Sequence, residues 1–332
     1  LVVMRPSSPP AALLGGQEEA FARDVARLRA RAAEFTPVPC PACGAGGGTP
    51  ALSKWGFTWR ACPGCRTLYM SPRPSEAVMS DYYADSENYA YWAAHIFPAS
   101  EDARREKVHR PWLERITGHC RALGVPTGTL VEVGPGFGTF AALAATTGAF
   151  DRVIAVEPTP QLAAACRDRG VETVEMRVED AAGHLPAADV VVAFEVIEHL
   201  YDPGRFVAMA GALVRPGGLL VLSCPNALGF DIRTLGAESL AVDPEHVNLF
   251  NPGSLAALVE AHGFRVESLT TPGRLDAEFV REAALDGRCD LSGQPFLERV
   301  LVDEWERLGG PFQAFLADHG LSSHMWVVAR RG

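Results

Sequence analysis

Beyond Thr129 the chain settles into a regular rhythm. Short apolar runs (TLVEV, RVIAVE, VETVEM, DVVVAF, GGLLVLSCP, FRVESLT and SSHMWVVARR) alternate with longer amphipathic stretches. Apolar runs of this length, bounded by glycine and proline, predict strands. The stretches between them, such as PQLAAACRDRG and SLAALVEAHGF, predict helices, the second starting at Asn251 and Pro252. Strands that alternate with helices predict an α/β fold, a parallel sheet covered on both faces. Residues 273–320 break the rhythm with helical segments, which predicts a cap or an interface element.

The first 127 residues have no such rhythm. Gln17 to Glu34 predicts a helix with Phe21, Val25 and Leu28 on one face, stopped by Pro37 and Pro39. Residues 36–75 are rich in Gly, Pro and Cys and predict a compact module. A helical, aromatic-rich segment follows, with DYYADSENYAYWAAHIF and then a basic helix from about Ser100 through Trp112. Its Tyr82, Tyr83, Tyr89, Tyr91 and Trp92 would either close over a pocket or pack on the sheet edge. The boundaries expected are a disordered leader at 1–16 (with Met4 an alternative start), a helix and cysteine module at 17–75, a lid or linker at 76–127 and the α/β domain at 128–332.

Composition narrows the function. No apolar run among the 332 residues reaches the roughly 18 needed to cross a bilayer. The leader lacks a secretory pattern, so a cytoplasmic location is the default expectation. The net charge is −10 and unevenly spread, about +2 in residues 1–115 and −12 in the remainder. So acidic a second part is a poor partner for a polyphosphate backbone, which favours a small-molecule substrate over nucleic acid. Oligomeric state is not legible.

Four of the eight cysteines form two C-x2-C pairs, Cys40/Cys43 and Cys62/Cys65, with 18 residues between the pairs. Each pair presents two thiolates on one turn, and two such knuckles complete a tetrahedron around Zn²⁺. Pro41, Pro63, Gly44 and Gly64 suit the tight turns. Four cysteines leave no open coordination position, so the expected metal is structural. The alternatives are reduced thiols or a redox pair. Lys54, Trp55, Phe57, Trp59, Arg60 and Arg66 would either grip an RNA or pack the module itself.

VEVGPGFGTF sets three glycines directly after a strand and directly before a helix. Gly134 permits the tight turn, Gly136 the close approach of a ligand, and Gly138 the start of the helix against the strand. Glu157 ends the next strand, where a carboxylate can accept from both hydroxyls of a ribose. The spacing E-x-G-x-G-x-G, starting at Glu132, resembles the class I S-adenosylmethionine-dependent methyltransferases. The resemblance continues in order through VIAVEP, VEDAAGHLP, DVVVAFEVIEHL, RPGGLLVLSCPN and a terminal strand ending VVARR, over roughly residues 128–332. It implies a Rossmann-like sheet of seven strands with the last one antiparallel. It also implies cofactor contacts from Glu132, Gly134, Gly136, Gly138, Glu157 and Glu195, with Val178, Glu179 and Asp180 near adenine. Tandem C-x2-C knuckles ahead of such a domain resemble bacterial methyltransferases acting on sugars and specialised metabolites.

A methyl acceptor needs alignment and, often, loss of a proton. The candidates are Glu195, Glu198 and His199 in FEVIEHL, and His246 in DPEHVNLF, both where strands leave the core. E-x-x-E-H followed by a later histidine resembles the metal-assisted small-RNA 2′-O-methyltransferases and ubiquinone-pathway O-methyltransferases. That resemblance implies Mg²⁺ or Mn²⁺ held by Glu195, Glu198, His199 and His246. The RNA enzymes carry a second adjacent histidine where this chain has Leu200. A histidine base without metal and a purely structural cluster stay open. The expected activity is methyl transfer to oxygen, nitrogen or carbon of a small molecule. An RNA methyltransferase using the cysteine module for its substrate is the alternative, and a non-catalytic scaffold the third.

Overall fold

The computed structural model describes residues 11–181 and 183–332. Its strands are β1 (Thr49–Lys54), β2 (Phe57–Ala61), β3 (Leu68–Met70), β4 (Thr129–Val133), β5 (Arg152–Val156), β6 (Glu172–Val174), β7 (Ala188–Phe194), β8 (Val214–Pro225), β9 (Asn248–Leu249), β10 (Phe264–Thr270) and β11 (His324–Arg331). Seven of them form one sheet in the order β6-β5-β4-β7-β8-β11-β10. β11 runs antiparallel to both of its neighbours, while β4, β5, β6, β7 and β8 pair in parallel. This is the seven-stranded Rossmann-like sheet expected.

Alternation along each strand explains the two-sided burial. Val131, Ile154, Val191 and Leu220 point to one face, under Phe206, Leu255 and Leu258. Leu130, Val153, Val190 and Val221 point to the other, under Ile116, Phe140 and Leu143. The helix Pro252–Glu260 starts as its sequence predicts, with Asn251 and Ser254 in a reciprocal capping box and Pro252 in the first turn. Between β10 and β11 the helices Asp276–Leu285 and Trp305–Asp318 build a satellite core on Ala277, Val280, Leu301 and Leu316.

Two boundaries differ from expectation. The first helix runs Ala11–Ala30 rather than starting at 17. Ala-Ala-Leu-Leu is strongly helix-forming, and Gly16 lies against Tyr91, where a Cβ would meet the ring hydroxyl at 2.6 Å. The rest of the expected disordered leader, with Met4, falls outside the described residues. The cysteine module is also less separate than expected. Its sheet has the order β1-β2-β3-β9, and β9 comes from the α/β domain.

Candidate functional site

The sheet order reverses at β4, whose neighbours are β5 and β7. The crevice beyond the carboxyl ends of these strands is where open α/β sheets bind ligands. Gly134, Gly136 and Gly138 line it with φ of 67°, 57° and 76°, all left-handed. At Gly136 a Cβ would meet nothing within 4 Å, so the backbone there faces open space. Glu132 is 4% exposed, and one of its carboxylate oxygens, Oε2, has no hydrogen-bond partner. Burial pushes its pKa up to about 8, with the Ala141 backbone amide opposing and Glu157 adding to the rise. Glu157 ends β5, equally buried, with Oε1 accepting from the Thr159 amide at 2.9 Å. Val178 is buried, Glu179 half-buried within 3.7 Å of Arg177, and Asp180 exposed.

Beyond β7 the FEVIEHL turn divides its three ionisable groups. Glu195 takes a left-handed φ of 53° and has partners of its own, while its charge still reaches Glu198. Its Oε1 accepts from the Ser223 hydroxyl at 2.6 Å and pairs with His324 Nε2 at 2.9 Å. Burial opposes its charge, yet His324 and Ser223 hold the carboxyl down to about 2. Glu195, expected as a fourth metal donor, lies outside the group whose donor atoms converge and ties the end of β7 to Ser223 of β8 and to His324 at the start of β11.

Glu198 and His199 meet His246. One donor atom from each lies within 4.8 Å of the others, and the two imidazole centroids are 4.8 Å apart. Glu198 is fully buried, and neither carboxylate oxygen has a hydrogen-bond partner. Such a group costs stability unless a cation or a proton satisfies it. Burial, then the charge of Glu195, raises its pKa well above the ordinary value. Burial also holds both histidines neutral, His246 near 4 and His199 well below its usual range. His246 Nδ1 sits 2.9 Å from Ala241 O, which fixes that nitrogen as the donor and leaves Nε2 with a lone pair. One carboxylate and two neutral imidazoles suit a divalent transition metal or magnesium.

Three of the tyrosines wall this cluster. Tyr83 Oη lies 3.2 Å from His199 Nδ1. Tyr82 and Tyr89 donate to the two oxygens of Glu245, at 2.8 and 2.9 Å. Tyr91 packs elsewhere, on His95 and Gly16.

The four cysteines of the module converge as their spacing predicts. Their sulfurs lie within 4.8 Å of one another, with Cys40–Cys65 and Cys43–Cys62 both at 3.5 Å. At the usual Zn–S length, about 2.3 Å, a tetrahedron has edges of this order. The four thiols therefore fit zinc. The second knuckle differs in detail from expectation: the left-handed residue there is Arg66, with φ 62°, and Gly64 is not in that region. Burial opposes ionisation of Cys62, but amides of Cys65 and Gly64 and neighbouring thiols bring it down to about 7.

The module also holds the second cluster. Trp59 is fully buried and its indole N–H donates to His246 O at 2.8 Å. The Met70 amide bonds Val247 O, and Asn251 Nδ2 bonds Cys65 O at 2.8 Å. Asn248 Nδ2 ties Ile197 O and Leu200 O, the backbone on either side of Glu198 and His199. Asn248, Glu245, Ser223 and His324 were not singled out as functional from sequence, and Trp59 and Tyr83 only for an RNA grip and a lid. They are far from their targets along the chain, and only a strand-ending position marked Ser223 and His324.

Residues 101–269 match the family described as "Methyltransferase domain". A Mycolicibacterium smegmatis protein named a probable S-adenosylmethionine-dependent methyltransferase is 38% identical over 81 residues, 24% of this chain and 30% of its own. A Mycobacterium tuberculosis protein of the same description is 34% identical over 158 residues, 47% of this chain and 54% of its own. The chain thus spans less than two thirds of either mycobacterial protein. The ubiquinone biosynthesis O-methyltransferase of Xanthomonas campestris is 25% identical over 237 residues, 67% of this chain and 97% of its own.

Proposed function

The chain belongs to the methyltransferase-domain family matched by its residues 101–269, and from that premise we propose that it methylates a hydroxyl of a small molecule at the Glu198–His199–His246 cluster. The observation that carries this reading is Glu198. A fully buried carboxylate has no hydrogen-bond partner on either oxygen and has two neutral imidazoles beside it. A divalent cation bound to these three side chains would supply one thing, a lower pKa for an acceptor hydroxyl. S-adenosylmethionine in the neighbouring crevice would supply the activated methyl group. The relative from Xanthomonas campestris is by name an O-methyltransferase, which supports oxygen over nitrogen or carbon.

The chain's own groups divide the remaining work. The three glycines and Glu157 hold the nucleoside end of the cofactor, and Val178, Glu179 and Asp180 border its base. Glu195 acts at one remove, by bracing the turn that carries Glu198. Tyr82, Tyr83 and Tyr89 exclude water, and they must shift to admit an acceptor because the cluster beneath them is buried. The paired knuckles, a structural zinc site in this reading, favour the sugar or specialised-metabolite class. RNA is disfavoured because Trp59 and Phe57 are buried within the fold rather than available to stack bases.

The test is metal dependence. Protein dialysed against EDTA should bind S-adenosylhomocysteine normally but lose methylation of a catechol or sugar panel, and Mg²⁺ or Mn²⁺ should restore it. Activity that survives chelation, yet vanishes in His199→Ala, would reject the cation and leave His199 as a base.

A further inference from the structure

The insertion at 273–320 meets the helix Arg110–Leu123 around a cavity of about 700 Å³, a volume that suits a small molecule. One side of the helix Trp305–Asp318 lines it, with Gly310, Ala314 and Ala317 at spacings of four and three. Larger side chains there would fill the space. Trp305 packs on Gly309, where a Cβ would meet the ring at 2.4 Å. Gln313 rivets the insertion together. Its Oε1 accepts from the Ala277 amide at 2.9 Å, and its Nε2 donates to Gly273 O at 3.0 Å and to Asp276 Oδ2 at 2.8 Å. The cavity is thus held open by packing and hydrogen bonds within the insertion itself.

Two guanidiniums also line it, one from each side of the seam. Arg115, half-buried on the helix Arg110–Leu123, donates to the Thr270 hydroxyl and lies over the Trp326 ring, 5.0 Å from its centroid. Arg274, exposed on the insertion, donates to Lys107 O at 3.4 Å. Neither pairs with a carboxylate among the described residues, although Glu278 and Asp318 line the same cavity. Burial alone lowers the pKa of Arg115, so no acid stands near enough to offset it. The Trp326 indole N–H, beside Arg115, is buried without a partner as well. Unspent donors of this kind suit an oxyanion, since a guanidinium takes carboxylate or phosphate through two parallel bonds.

The cavity lies on the reactive edge of the sheet. Thr270, Trp326, Ser223 and Phe194 stand in one row across β10, β11, β8 and β7. The helix Arg110–Leu123 follows that row, with Arg115 at Thr270 and Trp112, one turn earlier, on Phe194 at 4.5 Å. Glu195 comes directly after Phe194, and Glu198 and His199 close the same turn. Three strand spacings, roughly 14 Å, span the row. We propose that the cavity holds the acidic end of the acceptor, an extended organic acid or phosphate ester, with its oxyanion on Arg115 and Arg274 and its reacting hydroxyl at the Glu198–His199–His246 cluster. Glu278 and Asp318 would accept from further hydroxyls of the same ligand. The proposal rests on the methyltransferase reading above and narrows its substrate class from small molecules in general to acids long enough to span the row.

Calorimetry on protein saturated with S-adenosylhomocysteine tests it. The probes are chlorogenate, a catechol with a carboxylate at its far end, and its neutral methyl ester. The wild type should bind the acid at least about tenfold more tightly than the ester, the scale of a hydrogen bond to a charged group. Arg115→Gln, which still reaches Thr270, should bring the acid to within about twofold of the ester and leave the ester unchanged. Arg274→Gln, at an exposed position of the insertion, should act in the same direction without endangering the fold. Displacement of chlorogenate by benzoate but not by inorganic pyrophosphate assigns a carboxylate, and the reverse a phosphate ester. Displacement by neither, equal binding of acid and ester, or a preference that survives the loss of both arginines would overturn the proposal. If S-adenosylhomocysteine itself fails to bind, the methyltransferase reading falls and the acceptor site with it. If it binds and the acid shows no advantage, the acceptor site alone fails.

Discussion

Among the described residues, two compact clusters of side chains have donor atoms close enough to share a metal ion, and they are assembled in opposite ways. In the cysteine module each knuckle is local: two thiols three residues apart, set by one turn. The Glu198–His199–His246 cluster joins the end of β7 to a segment 47 residues later, and only the resemblance, not a local turn, linked the two. The first presents four thiols and is coordinatively complete. The second has three donors, so an acceptor could still reach a bound cation. The two are also linked. The segment that carries His246 is held by Trp59, Met70 and Cys65 of the module. The four-cysteine module is thus hydrogen-bonded to the segment that positions His246.

The largest expected effect breaks the first cluster to look for damage in the second. Cys40→Ser with Cys43→Ser should abolish binding of about one zinc per chain, read by metal analysis. Losing a structural zinc should cost several kcal/mol, and at about 2–4 °C per kcal/mol for a domain of this size the melting temperature should drop by on the order of 10 °C. Methyl transfer should be lost at temperatures where the α/β domain is still folded, because His246 loses its support. Full activity in the zinc-free double variant would show that the link is not functional.

Glu198→Gln comes next. It removes the charge and keeps the shape. Activity should fall by roughly 10²-fold or more, as expected when a cation that activates the nucleophile is lost. Thermal stability should hold or rise, since an unpartnered buried carboxylate is replaced by a neutral amide. The opposite pattern, stability lost and activity kept, would make the cluster structural. A smaller effect is expected of Trp59→Phe, which deletes the indole N–H that fixes His246 O. We expect kcat to fall about tenfold, the cost of roughly 1.4 kcal/mol, with S-adenosylhomocysteine affinity unchanged. A change in cofactor affinity instead would mean that the module acts on the crevice rather than on His246.

The same contrast explains what was legible in the sequence. Glu132 to Gly138 could be read because seven consecutive residues form the turn, and Glu157 because it ends the adjacent strand. The cysteine ligands could be read for the same local reason. The strand order followed from the ordered motifs. Glu195 could not be separated from Glu198 by sequence, because its distinct partners, Ser223 and His324, come from strands 28 and 129 residues away. The pairing of the module with the α/β domain was not legible because two residues, Asn248 and Leu249, complete a sheet begun some 200 positions earlier. Tertiary pairing of that kind leaves almost no trace in a two-residue strand.

The smallest effect sharpens the comparison by pH. Burial, and then the charge of Glu195, hold the folded-state pKa of Glu198 well above the ordinary carboxyl value of 4.5. Above pH 4.5 the unfolded chain gives up this proton while the metal-free fold keeps it. Its contribution to stability is therefore complete below pH 4.5 and is lost as pH rises from there towards its raised folded-state value. His199 and His246 move the other way, since burial depresses both from 6.5. The unfolded chain takes up their protons below 6.5, so their cost disappears as pH climbs to that value. Subtracting the Glu198→Gln melting curve from the wild-type curve isolates the carboxyl. In EDTA the difference should slope downward from pH 5 to 8, by no more than one proton's worth. Saturating Mn²⁺ should flatten or reverse it, because a bound cation holds the carboxylate ionised. A slope that ignores Mn²⁺ would mean that Glu198 is met by a proton and not by a metal. The cysteine cluster would then be the molecule's one metal site among the described residues.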